Sequence, residues 1–258
     1  MFDLHMHSAY SDGQNTPEEM IRAAMDRGLD CVGISDHSHT PGDDCGMTLE
    51  GTAAYRAEMA ELKQKYAGKI RVLCGLERDY YSDDDLPYDY VIGSVHFVRF
   101  PDGKQVVVDW TADIQRQGVE TVMGGDWYAF AEAYYELVGR VVEQTGCDII
   151  GHFDLLSKFV EQAPLFDPAH PRYVRAWRKA ADRLLKTGKP FEVNTGAMSR
   201  GYRTSPYPSE EIRNYILSKG GRLILSSDAH RKEHVGYALE KVAGEVPRAG
   251  EWLTFMKE

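Results

Sequence analysis

The sequence predicts an α/β chain folded as a distorted (β/α)7 barrel, TIM-like with one unit fewer than the eight-unit form. Three observations predict it. Seven short apolar, β-rich runs recur along the 258 residues, segments that read as helices lie mostly between them, and potential metal ligands stand at or just after the ends of most runs. Runs that are apolar throughout read as strands buried on both faces, as in a parallel sheet covered by helices. In such a barrel the C-terminal ends of all strands converge on one face, so side chains two hundred positions apart can meet.

The first strand is expected near residues 2–6 and carries His5 and His7, with Asp12 five residues further on. A strand's period of two sends both rings to one face. An expression tag would be a longer histidine run without the interleaved Leu4 and Met6. Thr16-Pro17-Glu18-Glu19 is a capping box with proline in the first turn, so a helix follows at about 17–27, with Gly28 as its C-cap. The next strand, at 30–35, leads into Asp36 and His37. Leu49 to Tyr66, rich in Ala, Glu, Met and Lys, reads as a helix ending before Gly68. Strands at 71–77 and 90–95 then deliver Glu77 and His96.

The connection from about 97 to 126 is too long for an ordinary loop. With a Pro101-Asp102-Gly103-Lys104 turn and an extra strand at Val106 to Val108, it reads as a lid or rim hairpin. A helix over Asp126 to Thr145 ends at Gly146, a strand at 148–152 carries His152, and a helix over Pro171 to Thr187 ends at Gly188. After a strand at 190–194, a second long connection from Asn194 to Ser209 holds Arg200, Tyr202, Arg203 and Tyr207. Ser209-Glu210-Glu211 starts the next helix, which ends at Gly220-Gly221, and the strand at 222–227 leads to Asp228 and His230. No repeat, low-complexity tract or linker interrupts this order, so one domain over 1–258 is expected.

Composition bounds the function. A hydrophobic content of 43% suits one large core, and a formal charge of -10 disfavours nucleic acid, whose phosphates are held mainly by a Lys/Arg surplus. No run of 18 apolar residues and no charged and apolar leader occurs, which points to the cytoplasm and to no membrane partner. Cys31, Cys45, Cys74 and Cys147 are scattered without a C-x-x-C pair and read as free thiols.

His5-x-His7, Asp12, Ser35-Asp36-His37, Gly75-x-Glu77, Gly93 to Phe97, Gly151-His152-Phe153-Asp154 and Ser227 to His230 together resemble the PHP superfamily (polymerase and histidinol phosphatase). Asp89 to Phe97, Glu192 to Thr195 and Tyr207-Pro208-Ser209 are similar to its histidinol-phosphate phosphatase branch. The resemblance spans the chain with its motifs in order. It implies three divalent transition-metal ions (Zn, Mn or Fe): the first held by His5, His7, Glu77 and Asp228, the second by Glu77, His96 and His152 with Glu77 bridging, the third by Asp12, His37 and His230. Imidazole and carboxylate suit those metals, and two ions joined by one carboxylate form a two-metal clamp. Three such ions against three carboxylates would leave the site net positive, so an acidic protein can still attract a small anionic phosphomonoester.

The implied activity is hydrolysis of L-histidinol phosphate in histidine biosynthesis, with Glu77 and Asp12 as catalytic ligands. The alternatives are a phosphoesterase acting on a nucleotide, sugar phosphate, phosphotyrosine or nucleic acid, or a non-catalytic metal-binding module. His39, two beyond His37, is either a proton donor or substrate contact, or a partner that orients a ligand. Arg200, Arg203 and Lys158 are candidates for the phosphate, Arg200 foremost because a guanidinium fork matches phosphate geometry. Asp36 and Asp154 are expected to orient ligands or cap turns, and His170 and His234 to lie on the surface. Tyr80, Tyr81, Trp110, Tyr202 and Tyr207 either line an imidazole-ring pocket or pack at the rim.

Overall fold

Valine, isoleucine and leucine dominate the seven apolar runs, and in the computed structural model, which describes residues 1–245, these runs pair as one parallel sheet. Its strands are β1 (Phe2–Asp3), β2 (Cys31–Ile34), β3 (Arg71–Asp79) and β4 (Tyr90–Ser94). A separate antiparallel pair, β5 (Phe97–Arg99) and β6 (Gln105–Val107), intervenes, and β7 (Ile149–Ile150), β8 (Phe191–Asn194) and β9 (Leu223–Ser226) complete the sheet. The order is β1-β2-β3-β4-β7-β8-β9, with each strand parallel to its neighbour. The two ends meet: Met6 bridges Ala229, with the His7 N–H donating to the Ala229 carbonyl at 2.9 Å and the Ala229 N–H to the His5 carbonyl at 3.3 Å. The chain is therefore a nearly closed seven-stranded barrel, as its sequence predicts. Residues 246–258 of the expected domain lie outside the described residues.

Alternation along each strand sorts side chains between two apolar regions. Cys31, Leu73, Tyr90, Ile92, Ile149 and Ile224, from five strands around the ring, cluster together with Phe2 and Leu4 in the interior. Val32, Ile34, Cys74 and Leu76 face outward onto α1 (Pro17–Asp26) and α2 (Leu49–Lys65), which contribute Met20, Ile21, Ala24, Tyr55, Met59 and Leu62. The interior is narrow where the strands cross Tyr90. A Cβ on Gly33 would lie 2.1 Å from the Tyr90 hydroxyl, and one on Gly75 2.2 Å from its Cζ. Gly75→Ala is expected to cost about 2–3 kcal/mol by overpacking, read as a lowered urea midpoint; an unchanged midpoint would show that Tyr90 yields freely.

The remaining helices are α3 (Ala112–Met123), α4 (Trp127–Val138), α5 (Val141–Thr145), α6 (Pro171–Leu185), α7 (Gly196–Ser199), α8 (Glu210–Ser218) and α9 (Leu239–Glu245). α4, α6 and α8 cover the other half of the barrel through Phe130, Tyr134, Trp177, Leu184, Ile212 and Ile216. Two expectations are corrected. The helix expected over Asp126 to Thr145 is two helices, broken at Gly139, where a Cβ would sit 3.3 Å from the Ala180 Cα of α6. The segment at 97–126 contains the expected hairpin but also α3. Its Gly118, which obscures the helical pattern, lets the helix approach Val106, whose Cγ1 would be 2.9 Å from a Cβ there. β1 is also shorter than expected: the ladder ends at Asp3 and resumes only as the bridge at Met6.

Candidate metal centre

Strand pleat decides what points into the mouth of the barrel. On β3 the inward series Leu73, Gly75, Glu77 and Asp79 changes from apolar to acidic towards the C-terminal end, and Ser94, Glu192, Asn194 and Ser226 lie on the inward series of their strands. Above them the loops bring histidines from five strand ends. Glu77, 1% exposed, is the hub. Its Oε2 lies 3.2 Å from His5 Nε2, 3.4 Å from His7 Nε2 and 2.9 Å from His37 Nδ1; its Oε1 lies 2.9 Å from His152 Nε2 and 3.5 Å from His96 Nε2. Asp228 Oδ1 is 3.3 Å from His7 Nε2 and 3.8 Å from His5 Nε2. Asp12 Oδ2 is 3.2 Å from His230 Nε2, and its Oδ1 is 3.6 Å from His37 Nε2. All nine expected ligands thus come together.

Among the described residues three groups converge tightly enough to hold one ion each: His5, His7 and Asp228; His37, Glu77 and His96; and His7, Asp12, His37 and His230. The grouping departs from the expected partition: Glu77 falls in the second group and not also in the first. His7 and His37 each belong to two neighbouring sets, and His152 reaches the centre through Glu77 Oε1. Asp228 adopts φ 50°, the left-handed region that non-glycine residues seldom use, so the backbone is held out of its easy range where it presents this carboxylate.

The donor set fits metal. His5 Nε2, both ring nitrogens of His7 and Glu77 Oε2 are buried without a hydrogen-bond partner, an arrangement costly for polar atoms unless a cation lies among them. Burial, together with the neighbouring His230 and His37, pushes the His7 imidazole down to about 3, leaving it in the neutral form a metal requires. Burial would raise Asp12, yet His37 and His230 hold its carboxyl well below the usual range. The pocket thus keeps its carboxylates ionised.

Several partners fix the ligands from behind. Asp79 Oδ2 accepts from the His96 backbone N–H at 3.1 Å and sits 3.2 Å from His96 Nδ1, which turns Nε2 towards Glu77. Asp36 accepts from the Ser8 N–H at 2.7 Å, the Ser8 hydroxyl at 2.6 Å and the Ser11 hydroxyl, anchoring the loop that presents Asp12. Asp154 accepts from the Ser209 N–H at 3.0 Å. Sequence reasoning assigned no role to Asp79, Asp109 or Glu192. A carboxylate inside an apolar run such as Phe191-Glu192-Val193 was the available signal, because a buried charge must have partners.

The other candidates divide. Arg200 joins the centre: Nη2 is 3.2 Å from Asp228 Oδ2 and Nη1 2.9 Å from His230 Nδ1, while Nε is buried and unpaired. Lys158 is nearby at the rim, bound to the carbonyl of Asp109 at 2.7 Å and its carboxylate at 3.0 Å, and resting 5.3 Å over the Tyr202 ring. Burial would push Asp109 up, but Lys158, His96 and His152 hold it at about 2. Arg203 is not brought to the cluster. It donates to the Ser157 hydroxyl, lies 4.8 Å from the Tyr207 ring centroid and lines a separate cavity of about 190 Å3 with Asp154 and Trp177.

His39 pairs with Asp83 at 3.0 Å and is absent from the three convergent groups found among the described residues. Among the aromatics, Tyr207 is wholly buried, Tyr81 stacks under Arg99 at 4.4 Å and Trp110 is 59% exposed. His170 and His234 are both partly exposed; His170 caps α6 through the Arg172 N–H and stacks 3.7 Å from Tyr128. The four cysteines are free thiols. No described helix is long and apolar enough to cross a membrane.

The chain resembles known proteins over most of its length. The chain is 28% identical over 96% of its length to a Deinococcus radiodurans protein described as "Probable histidinol-phosphatase", covering 93% of that protein. It is 26% identical over 92% of its length to the histidinol-phosphatase of Bacillus subtilis, covering 96% of it. The fold matches the crystal structure of a histidinol phosphate phosphatase from Lactococcus lactis subsp. lactis complexed with Zn, L-histidinol and phosphate, at TM-score 0.73 and 22% identity over 96% of this chain and 93% of that one. Residues 3–196 match the PHP domain, which takes in Asp3 of β1, every strand from β2 to β8 and seven of the nine proposed ligands, so the chain belongs to the PHP domain family.

Proposed function

We propose that the chain is a metal-dependent phosphomonoesterase that hydrolyses L-histidinol phosphate to L-histidinol and phosphate, the reaction of histidine biosynthesis. The observation that carries this reading is the convergence of six imidazoles and three carboxylates beside an arginine, on a chain spanning nine-tenths or more of two relatives named as histidinol phosphatases. His5, His7, Asp228 and Glu77 would hold one divalent ion, Glu77, His96 and His152 a second, and Asp12, His37 and His230 a third, with Zn, Mn and Fe all suited to these donors. When bound, such ions supply Lewis-acid charge for the phosphoryl oxygens and lower the pKa of an attacking water.

The chain's own groups do the rest. Glu77 offers one oxygen to each side of the cluster and sets the spacing between the first two positions. Arg200, with Nη2 held against Asp228 and Nη1 against His230, would place its positive charge beside a bound phosphate and offset equatorial charge as it develops. Lys158, already paired with Asp109, contributes a second positive group at the rim.

Phosphate release measured on L-histidinol phosphate, nucleotides, sugar phosphates and p-nitrophenyl phosphate tests the reading. L-histidinol phosphate is expected to lead in kcat/KM by about 10²-fold or more. Another ester in front would overturn the substrate, and no release from any ester by metal-loaded protein would overturn the activity. Arg200→Ala is expected to lower kcat/KM by about 10²–10³-fold, with Arg200→Lys recovering only part because an ammonium lacks the bidentate fork. Full recovery by lysine would show that charge alone suffices.

A further inference from the structure

We infer that Glu192 is a positioning residue that fixes His5 and His152 together, tying two of the proposed ion positions to one buried side chain. The inference rests on the reading of the strand-end cluster as a metal centre. On β8, Phe191 and Val193 pack outward into the helix-covered core, so the pleat turns Glu192 inward beneath the histidines. The carboxylate is 0% exposed in a strand that is otherwise mostly apolar, and such a charge persists only with several hydrogen bonds.

Glu192 has four. Its Oε1 meets His5 Nδ1 and accepts from the Ser226 hydroxyl; its Oε2 accepts from the His152 backbone N–H at 2.6 Å and from Asn194 Nδ2 at 3.1 Å. The contact to His5 settles a tautomer. A proton held on Nδ1 by the carboxylate leaves Nε2 with its lone pair, and Nε2 is the nitrogen that faces Glu77 Oε2 at 3.2 Å and Asp228 Oδ1 at 3.8 Å without forming a hydrogen bond. The contact to His152 fixes that residue's backbone, while its Nε2 meets the opposite oxygen of Glu77 at 2.9 Å. Glu192 therefore mirrors Glu77 from below: one oxygen serves the His5 side and the other the His152 side. None of these four hydrogen bonds reaches Asp12, His37 or His230, so the third position is expected to be independent of Glu192.

Glu192→Gln keeps the shape of the side chain but puts an amide NH2 against groups that already donate. Wild type and variant would be loaded with Zn and titrated with a competing chelator, and the ions retained per chain counted, with Asp12→Asn as the reference for loss at the third position. The expected result is a 10- to 100-fold weaker hold on the ions at the His5 and His152 positions, with the Asp12 position unchanged. Wild-type retention by the variant would overturn the role of Glu192 alone. Absence of tightly held ions in wild type as well would overturn the metal centre with it.

Should Glu192→Gln fail to fold, wild-type protein labelled with 15N-histidine and loaded with 113Cd decides the matter. The His5 resonances, assigned by their loss in His5→Gln, are expected to show cadmium coupling at Nε2 and a proton on Nδ1. Coupling at Nδ1 would overturn the inference.

Discussion

Glu77→Ala is expected to reduce kcat/KM for phosphate release by at least about 10⁴-fold, more than the 10²–10³ lost with a single stabilising donor. The reason is that Glu77 is shared. Five imidazoles, those of His5, His7, His37, His96 and His152, face its two oxygens within 3.5 Å, and the Ser94 hydroxyl donates to it as well. Removing it should unseat two ions at once while the group of Asp12, His37 and His230 keeps its own. Metal content and turnover measured on the same sample, with circular dichroism to confirm the fold, check this. A variant that retained full activity and a full complement of ions would sink the bridging role.

Exhaustive chelation should have the second-largest effect, abolishing phosphate release and lowering thermal stability together. Ions bound only to the folded state stabilise it by about 4 kcal/mol each at a thousandfold excess over Kd, and for a chain of this size one kcal/mol moves Tm by about 2 °C or somewhat more. A fall of about 10 °C or more is therefore expected, reversed along with activity when Zn, Mn or Fe is restored. The acidic character of the centre sets the sign. Asp12, Glu77 and Asp228 converge within one mouth, and without cations their mutual repulsion is offset by imidazoles, Arg200 and the Ser94 and Asn194 donors. Undiminished turnover in protein shown to be metal-free would exclude metal-assisted hydrolysis.

Much of this was legible in the chain before any coordinates. The apolar runs announced the strands, and the ligand after each run announced the face on which the site is built, because parallel barrel strands all end on one side. Helix ends were well marked where proline, a capping box or glycine stood, as at Thr16-Pro17 and Gly188. They were misread where a glycine served tertiary contact rather than local turn geometry. Gly118 and Gly139 sit in or beside helices because Val106 and Ala180 come too close for a side chain, and no local pattern reveals such a neighbour.

The pairing of His5 with His7 illustrates the difference in another way. Their convergence was foreseen from strand period, yet β1 ends at Asp3, and it is the Met6–Ala229 bridge, 223 positions apart in sequence, that holds both rings over the barrel mouth.

By itself the sequence determined the inventory: a seven-unit parallel barrel, nine metal-competent side chains in order, and an arginine in the connection that follows the strand at 190–194. Those follow from local periodicity and residue chemistry, which act over a few positions. Only the tertiary structure decided the grouping. It brought Arg200 to Asp228 and left Arg203 buried against Ser157, gave His37 to two neighbouring donor sets, and placed Asp79 behind His96 and Glu192 behind His5 and His152. The physical reason is that orientation of a buried imidazole depends on what accepts a hydrogen bond from its far nitrogen or its backbone, and that partner comes from another strand across the barrel.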